Sequence, residues 1–272
     1  MDAIFTVQNV NYAYSTTSDL ALNDISLTIT QGSRVAIMGA NGSGKSTLLR
    51  ILDGLYFPQS GSVTAFDHPL DEAHLMDEAY AHAFRRRVAF VFQNPDVQLF
   101  NPTVFDEVAF GPLQLRWDKP TILKKVAETL DLLEISHLRD RAPHRLSGGE
   151  KKRVAIASVL VLDPEVILLD EPTAALDPKS QSRVVDFLVD WGAGKKTVVV
   201  ATHDLDTVPD IADDAYIFKQ GKIVAHDTPR NLLANHQLLL DANLVHAHHH
   251  YHDDDKPHSH PHLHFGHDHD HQ

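Results

Sequence analysis

The chain has 272 residues, 43% of them apolar, enough for one large core or two small ones. A formal net charge of -13 argues against a nonspecific grip on nucleic acid, and the absence of cysteine excludes disulfides and thiolate metal sites, as is usual for cytosolic proteins. No apolar run approaches the roughly 20 residues that cross a bilayer, and residues 1–6 show no basic region ahead of an apolar stretch, so neither a membrane span nor a secretory leader is expected.

Residues 4–10 and 26–29 read as strands from their β-branched and alternating apolar positions. Tyr14, in the loop between them, is ordinary packing on position alone, although its flat ring and polar tip also suit stacking on a base. The apolar run 34–38 then enters Gly39-Ala40-Asn41-Gly42-Ser43-Gly44-Lys45-Ser46, and a helical pattern follows from Thr47. Strand, glycine-rich turn and helix in this order form a phosphate cradle. Gly39, Gly42 and Gly44 let the backbone approach the oxygens without a Cβ in the way. Asn41 and Ser43 belong to the same turn, Lys45 supplies a mobile charge for the β and γ phosphates, and the Ser46 hydroxyl is placed to ligate Mg²⁺. The helix start adds its positive dipole.

A short strand is expected over residues 63–66, and one helix over 71–87, acidic at its start and ending in Arg85-Arg86-Arg87. The buried strand 88–92 terminates at Gln93, and the carboxyl end of a core strand is where an open α/β sheet binds ligands. From residue 96 to 144 strand signals vanish in favour of helices over 103–110 and 120–133, so a helical subdomain, about 94–163, interrupts the sheet. Ser147 and Glu150 have the spacing of a capping box. Gly148 and Gly149 are not explained by that, since each costs about 1 kcal/mol in a helix. An anion approaching the helix start explains them. The buried strand 166–169 ends in Asp170-Glu171, adjacent carboxylates that repel unless a cation or a reaction uses them. Asp170 is placed to hold Mg²⁺ through water and Glu171 to polarise an attacking water. Asp177 turns the chain into a helix over 179–189, strand 197–202 ends at His203, and two edge strands, 215–218 and 222–225, close the sheet.

In this order Gly39 to Ser46, Gln93, Leu146 to Glu150, Asp170-Glu171, Ala175-Leu176-Asp177 and His203 resemble the ATPases of ABC transporters over about residues 3–235. The resemblance implies an α/β fold, a P-loop NTPase with a RecA-like core, an antiparallel β subdomain and the inserted α-helical subdomain, in an ATPase domain of residues 1–240. It implies ATP and Mg²⁺ as cofactors, with Tyr14 on the adenine, which reverses the reading from position. Lys45, Gln93, Glu171 and His203 become the catalytic set: Gln93 reports between Mg²⁺ and a transport partner, and His203 contacts the γ-phosphate. Ser147 and Gly149, with Gly148 and Asp177 beside them, face the γ-phosphate held by another subunit, so two ATP molecules bridge a head-to-tail homodimer or a heterodimer with a second ABC ATPase. Glu150 departs from the glutamine commonest at its position, a frequent variant compatible with activity. Residues 92–112 look like the ATPases of energy-coupling-factor importers, including cobalt and nickel systems. That implies integral membrane partners, no nucleic acid, and a peripheral place on the cytoplasmic face of the cell membrane. A vitamin or other micronutrient as cargo stays open. A DNA-repair ATPase fits poorly, because Gly39 and Ser147 are too close in the chain for a long coiled coil between them.

Of 20 histidines, 12 fall in residues 246–272. Residues 241–272 are expected to form a His-rich, disordered tail, because such a composition cannot bury a core. His248, His249, His250, His258, His260, His262 and His264 are candidate ligands for Ni²⁺ or Co²⁺, though imidazole and carboxylate also suit Zn²⁺ or Cu²⁺. A solvated tail or a purification tag is the plainer alternative. No six histidines run together, but Asp253-Asp254-Asp255-Lys256 resembles a protease-cleavage sequence.

Overall fold

The computed structural model describes residues 2–15, 19–193 and 196–245, and the backbone of 247–250 and 258–261. Strands β1 (Ala3–Tyr12) and β2 (Leu22–Thr30) pair antiparallel, and β3 (Arg34–Gly39) leads to helix α1 (Lys45–Leu52). Next come β4 (Ser60–Ala65) and β5 (His68–Pro69), joined at Phe66 and Asp67, both left-handed with φ 52° and 64°, as a two-residue hairpin turn requires. The single helix expected over 71–87 is two, α2 (Glu72–Leu75) and α3 (Glu78–Arg87). Asp71 caps the first by accepting from His74 N, and Asp77 starts the second by accepting from Tyr80 N.

After β6 (Val88–Val91) the chain is helical through α4 (Val104–Gln114), α5 (Lys119–Leu132) and α6 (Gly148–Leu160). It returns to the sheet with β7 (Val166–Asp170), crosses by α7 (Pro178–Ala193) to β8 (Thr197–Thr202), and passes through α8 (Val208–Ile211) into β9 (Asp214–Lys219) and β10 (Lys222–Asp227). Helices α9 (Pro229–Ala234) and α10 (His236–Asp241) follow, then β11 (Ala247–His250) and β12 (His258–Pro261), which pair antiparallel.

The main sheet has the order β10-β9-β3-β8-β7-β6, parallel except for β10, and a second sheet has the antiparallel order β2-β1-β4-β5. Only β10 is an edge strand of the pair expected at the edge. β9 lies between β10 and β3, and its Ala215, Tyr216, Ile217 and Phe218 are buried. The continuous apolar runs have a simple cause: alternate residues feed two cores. Ala36, Met38, Ile167, Leu169, Val198 and Val200 face the helical side with α4 to α10, while Val35, Ile37, Val166, Leu168, Val199 and Ala201 face α1 and the antiparallel sheet. Each fully buried Val, Leu, Ile or Met among them contributes roughly 1.5–3 kcal/mol. Burying both faces therefore fixes the strands rigidly, and the loops at their carboxyl ends inherit that rigidity.

Candidate functional site

Four of those carboxyl ends converge. β3 runs into the glycine loop, β6 into Gln93, β7 into Asp170 and Glu171, and β8 into His203. A cavity of about 380 Å³ is lined by Tyr14, Ala21, residues 41–47, Gln93 and Glu171. The loop has the geometry that glycine permits and other residues do not. A Cβ on Gly39 would stand 2.4 Å from Ser43 Oγ and 2.6 Å from the Phe218 carbonyl oxygen. Gly44, at φ 109°, caps α1 without a side chain, leaving the helix start open to an anion. Behind the loop, a Cβ on Gly44 would meet Ala21 O at 2.6 Å and one on Gly221 the same atom at 2.8 Å; Gly221 N also donates to Ser43 O. The loop is thus wedged between the start of β2 and the β9–β10 turn.

Lys45 is buried, with Nζ 2.7 Å from Gly39 O and 3.3 Å from Glu171 Oε1. Ser46 Oγ donates to Asp170 Oδ1 at 2.8 Å. A hydroxyl and a carboxylate paired beside a phosphate loop are the hard oxygen donors Mg²⁺ takes, so these residues fit the ion. Burial pushes the Asp170 carboxyl above its ordinary range, opposed by the Ser46 hydrogen bond and Arg50. Glu171 is 3% exposed and left-handed at φ 47°, a conformation supported by its N–H donating to Ala201 O at 2.9 Å. Its Oε1 lies 2.8 Å from His203 Nδ1 as well as facing Lys45, and its Oε2 accepts from His203 N at 3.3 Å. Oε1 thus faces the Lys45 ammonium and the His203 ring nitrogen without a well-aligned hydrogen bond. Tyr14 stands at the rim, 56% exposed, with its hydroxyl 2.8 Å from Thr47 Oγ1 and its ring edge-on to Tyr12 and Tyr56.

Ser147, Gly148, Gly149 and Asp177 do not line this cavity. They form a separate patch at the start of α6. Ser147 Oγ accepts from Glu150 N, and Glu150 Oε2 accepts from Ser147 N at 2.7 Å, so the capping box is made in both directions. The Ser147 N–H also holds the Glu150 carboxyl below the usual carboxylate range. The two glycines differ: a Cβ on Gly149 would strike Ser180 Oγ at 2.3 Å, whereas one on Gly148 meets nothing within 4 Å. Asp177 accepts from Ser180 N and Oγ and so shapes the start of α7 beneath the patch. The side chains of His248, His249, His250, His258 and His260, and all of His262 and His264, lie outside the described residues.

Lys152 is the residue that sequence reasoning passed over. It is 1% exposed, and its Nζ reaches Gln93 O at 2.6 Å, Phe92 O at 3.2 Å and Glu171 O at 3.5 Å. Desolvation lowers its pKa to about 8 against the pull of Asp170 and Glu171. The available signal was its place in the helical repeat: three residues after Gly149 and four before Ile156, it shares their inward face.

A glycine loop with lysine and a Ser–Asp pair at the strand ends of a two-sided sheet defines a P-loop nucleotide-hydrolysing protein. A model of the ABC transporter family matches residues 22–174, more than half of the chain. The chain belongs to the ATP-binding proteins of ABC transporters, of the energy-coupling type, and it is an ATPase. It is 53% identical over 248 residues to the nickel import ATP-binding protein NikO of Rhodobacter capsulatus, covering 90% of this chain and 97% of that one. Its fold matches CbiO1 of Clostridium perfringens, part of the ABC transporter complex CbiONQ, with a TM-score of 0.77 and 37% identity over 90% of this chain and 96% of that one. A dimeric ATP-binding cassette bound to ADP and phosphate, MJ0796, matches with a TM-score of 0.74 and 31% identity over 83% of this chain and 99% of that one. Among the described residues no helix is long and apolar enough to cross a membrane.

Proposed function

We propose that the chain is the ATP-hydrolysing subunit of a nickel or cobalt importer, working as a head-to-tail pair on the cytoplasmic face of the membrane. The observation that carries the pairing is the separation of two anion-binding helix starts within one chain: the loop before α1 lines the cavity, and Ser147 to Gly149 do not. An exposed helix start with a glycine beside which a Cβ would meet open space fits the triphosphate held by another copy. In this reading Lys45 and the loop amides hold the phosphates, Tyr14 takes the adenine, and Ser46, Asp170 and Gln93 hold Mg²⁺. Bound there, Mg²⁺ would supply positive charge against the phosphate oxygens. Glu171, aimed by its left-handed backbone and by His203, orients and polarises the attacking water. His203 and the opposite copy's Ser147 and Gly149 face the γ-phosphate. Binding draws the copies together, and charge repulsion after hydrolysis parts them.

Val97, Phe100, Phe110 and Leu113 support a membrane partner: all are exposed, and Phe100 and Phe110 meet edge-on at 5.0 Å beside the Gln93 segment, an apolar patch of the kind that marks an interface. The NikO likeness and the histidines of residues 246–272 support metal as cargo, with the tail storing or sensing Ni²⁺ or Co²⁺. The test is reconstitution with the membrane subunits in vesicles. ATP-dependent accumulation of Ni²⁺ or Co²⁺, abolished by Glu171→Gln, is the expected result; accumulation of a vitamin instead rejects the metal assignment and keeps the motor. For the tail, deleting residues 246–272 removes calorimetric metal binding and leaves hydrolysis intact. Stoichiometric metal retained by the shortened chain refutes the tail's role.

A further inference from the structure

The segment that carries Gln93 is fastened to α6 at three points. Lys152 Nζ binds the Phe92 and Gln93 carbonyls, Gln98 Nε2 donates to Ala155 O at 2.8 Å and Ser158 Oγ at 3.1 Å, and Lys151 pairs with Asp96 at 2.7 Å. Gln98 Oε1 also accepts from Phe92 N, closing the segment on itself. Of these ties only Lys152 reaches β7's end as well, at Glu171 O. α6 is a single uninterrupted helix of 13 residues, so these ties connect its first turn to the Gln93 segment without a break in the helix.

We propose that Lys152 is a positioning residue that couples the two nucleotide sites of the pair. The proposal rests on the head-to-tail reading above. The start of α6 grips the triphosphate held by the opposite copy, whereas Gln93 and Glu171 serve the subunit's own. A displacement of α6 on engaging the opposite nucleotide is handed by the Lys152 ammonium to the Gln93 and Glu171 carbonyls one helical turn away. Each site therefore reaches its hydrolysing geometry only when the other is filled. The buried ammonium suits this task because it offers three donors from one point and can hold carbonyls on two strand ends at once.

The test is Lys152→Met, which keeps an unbranched apolar stem out to the ε position and removes the donors, with Lys152→Gln, which likewise ends one bond short of the ammonium position but keeps an N–H donor. In the full-length chain, initial rates of ATP hydrolysis are measured against ATP concentration alongside the thermal midpoint. Wild type is expected to respond sigmoidally, with a Hill coefficient near about 2. Lys152→Met is expected to lose at least about tenfold in kcat and to fall to a Hill coefficient near about 1, while KM stays within about twofold and the thermal midpoint holds. Lys152→Gln falls between. A wild type with no sigmoidal response refutes the pairing on which the proposal rests. A sigmoidal wild type whose variants keep both kcat and Hill coefficient overturns the role of Lys152 alone, as does a loss of kcat that merely follows a loss of thermal stability.

Discussion

Gly148→Ala adds one methyl group to the first turn of α6, at a position where an ideal Cβ has no heavy atom within 4 Å. Nothing in the subunit opposes the methyl, and alanine is favoured over glycine in a helix by up to about 1 kcal/mol. For a chain of this size that raises the thermal midpoint by roughly 1–4 °C. The same methyl stands where the proposed partner's γ-phosphate must meet the backbone, so hydrolysis should fall at least about tenfold, equivalent to about 1.4 kcal/mol of lost transition-state stabilisation. Gly149→Ala is the contrast. Its Cβ would lie 2.3 Å from Ser180 Oγ and 2.6 Å from Ser180 Cβ, an overpacking that costs about 1–3 kcal/mol and lowers the midpoint. Differential scanning fluorimetry and phosphate release on both variants separate the two effects. A Gly148→Ala chain that hydrolyses ATP at the wild-type rate would refute the assignment of this helix start to a nucleotide.

Glu171→Gln should keep ATP binding and lose hydrolysis by at least about a hundredfold, because the amide retains the size and shape of the side chain but cannot act as a base; nucleotide affinity lost in proportion to rate contradicts this. Tyr14→Phe removes the hydrogen bond to Thr47 Oγ1, a net of about 1 kcal/mol, and should leave ATP affinity within about threefold. Tyr14→Ala removes the stacking face and should weaken affinity roughly tenfold in a fluorescent-nucleotide titration; equal affinities for the two variants exclude stacking. Burial pushes the Asp53 carboxyl up to about 8, with Arg85 pulling the other way. The folded value lies above the unfolded one, about 3.9, so the native state binds more protons between the two. The contribution of Asp53 to stability is therefore fully present below about pH 4 and is lost as pH rises towards 8, with a slope of up to about 1.4 kcal/mol per pH unit. Asp53→Asn lacks this slope and should gain on wild type in urea midpoints from pH 5 to 8; a difference that does not change with pH contradicts it.

What could be read from sequence was local. The glycine loop, the capping box at Ser147 and the apolar runs ending at Gln93, Asp170 and His203 are contiguous patterns whose physics acts within a few residues. The break at Asp77 was missed because acidic residues early in a helix and a fresh N-cap look alike until the backbone turns. β9 read as an edge strand because its pairing with β3, about 180 positions earlier, has no local trace. Gly148 and Gly149 were indistinguishable by propensity, and Ser180 separates them only in three dimensions. Lys152 lay hidden in a basic run, Lys151-Lys152-Arg153, that normally signals a solvated face. Two of the three adjacent cations turn inward, Lys152 to the strand ends and Arg153 to the carbonyls of Leu133 and Glu134, and only the packing around α6 decides which.

The wedge behind the phosphate loop joins residues that synthesis delivers far apart in time. Ala21 and Gly44 emerge early, and Gly221, whose N–H donates to Ser43 O and whose carbonyl accepts from Asn23 N, comes long after. The backing of the phosphate loop is therefore complete only once the β9–β10 turn has left the ribosome. Fragments ending before that turn carry every residue of the phosphate motif and lack the support that holds it in shape.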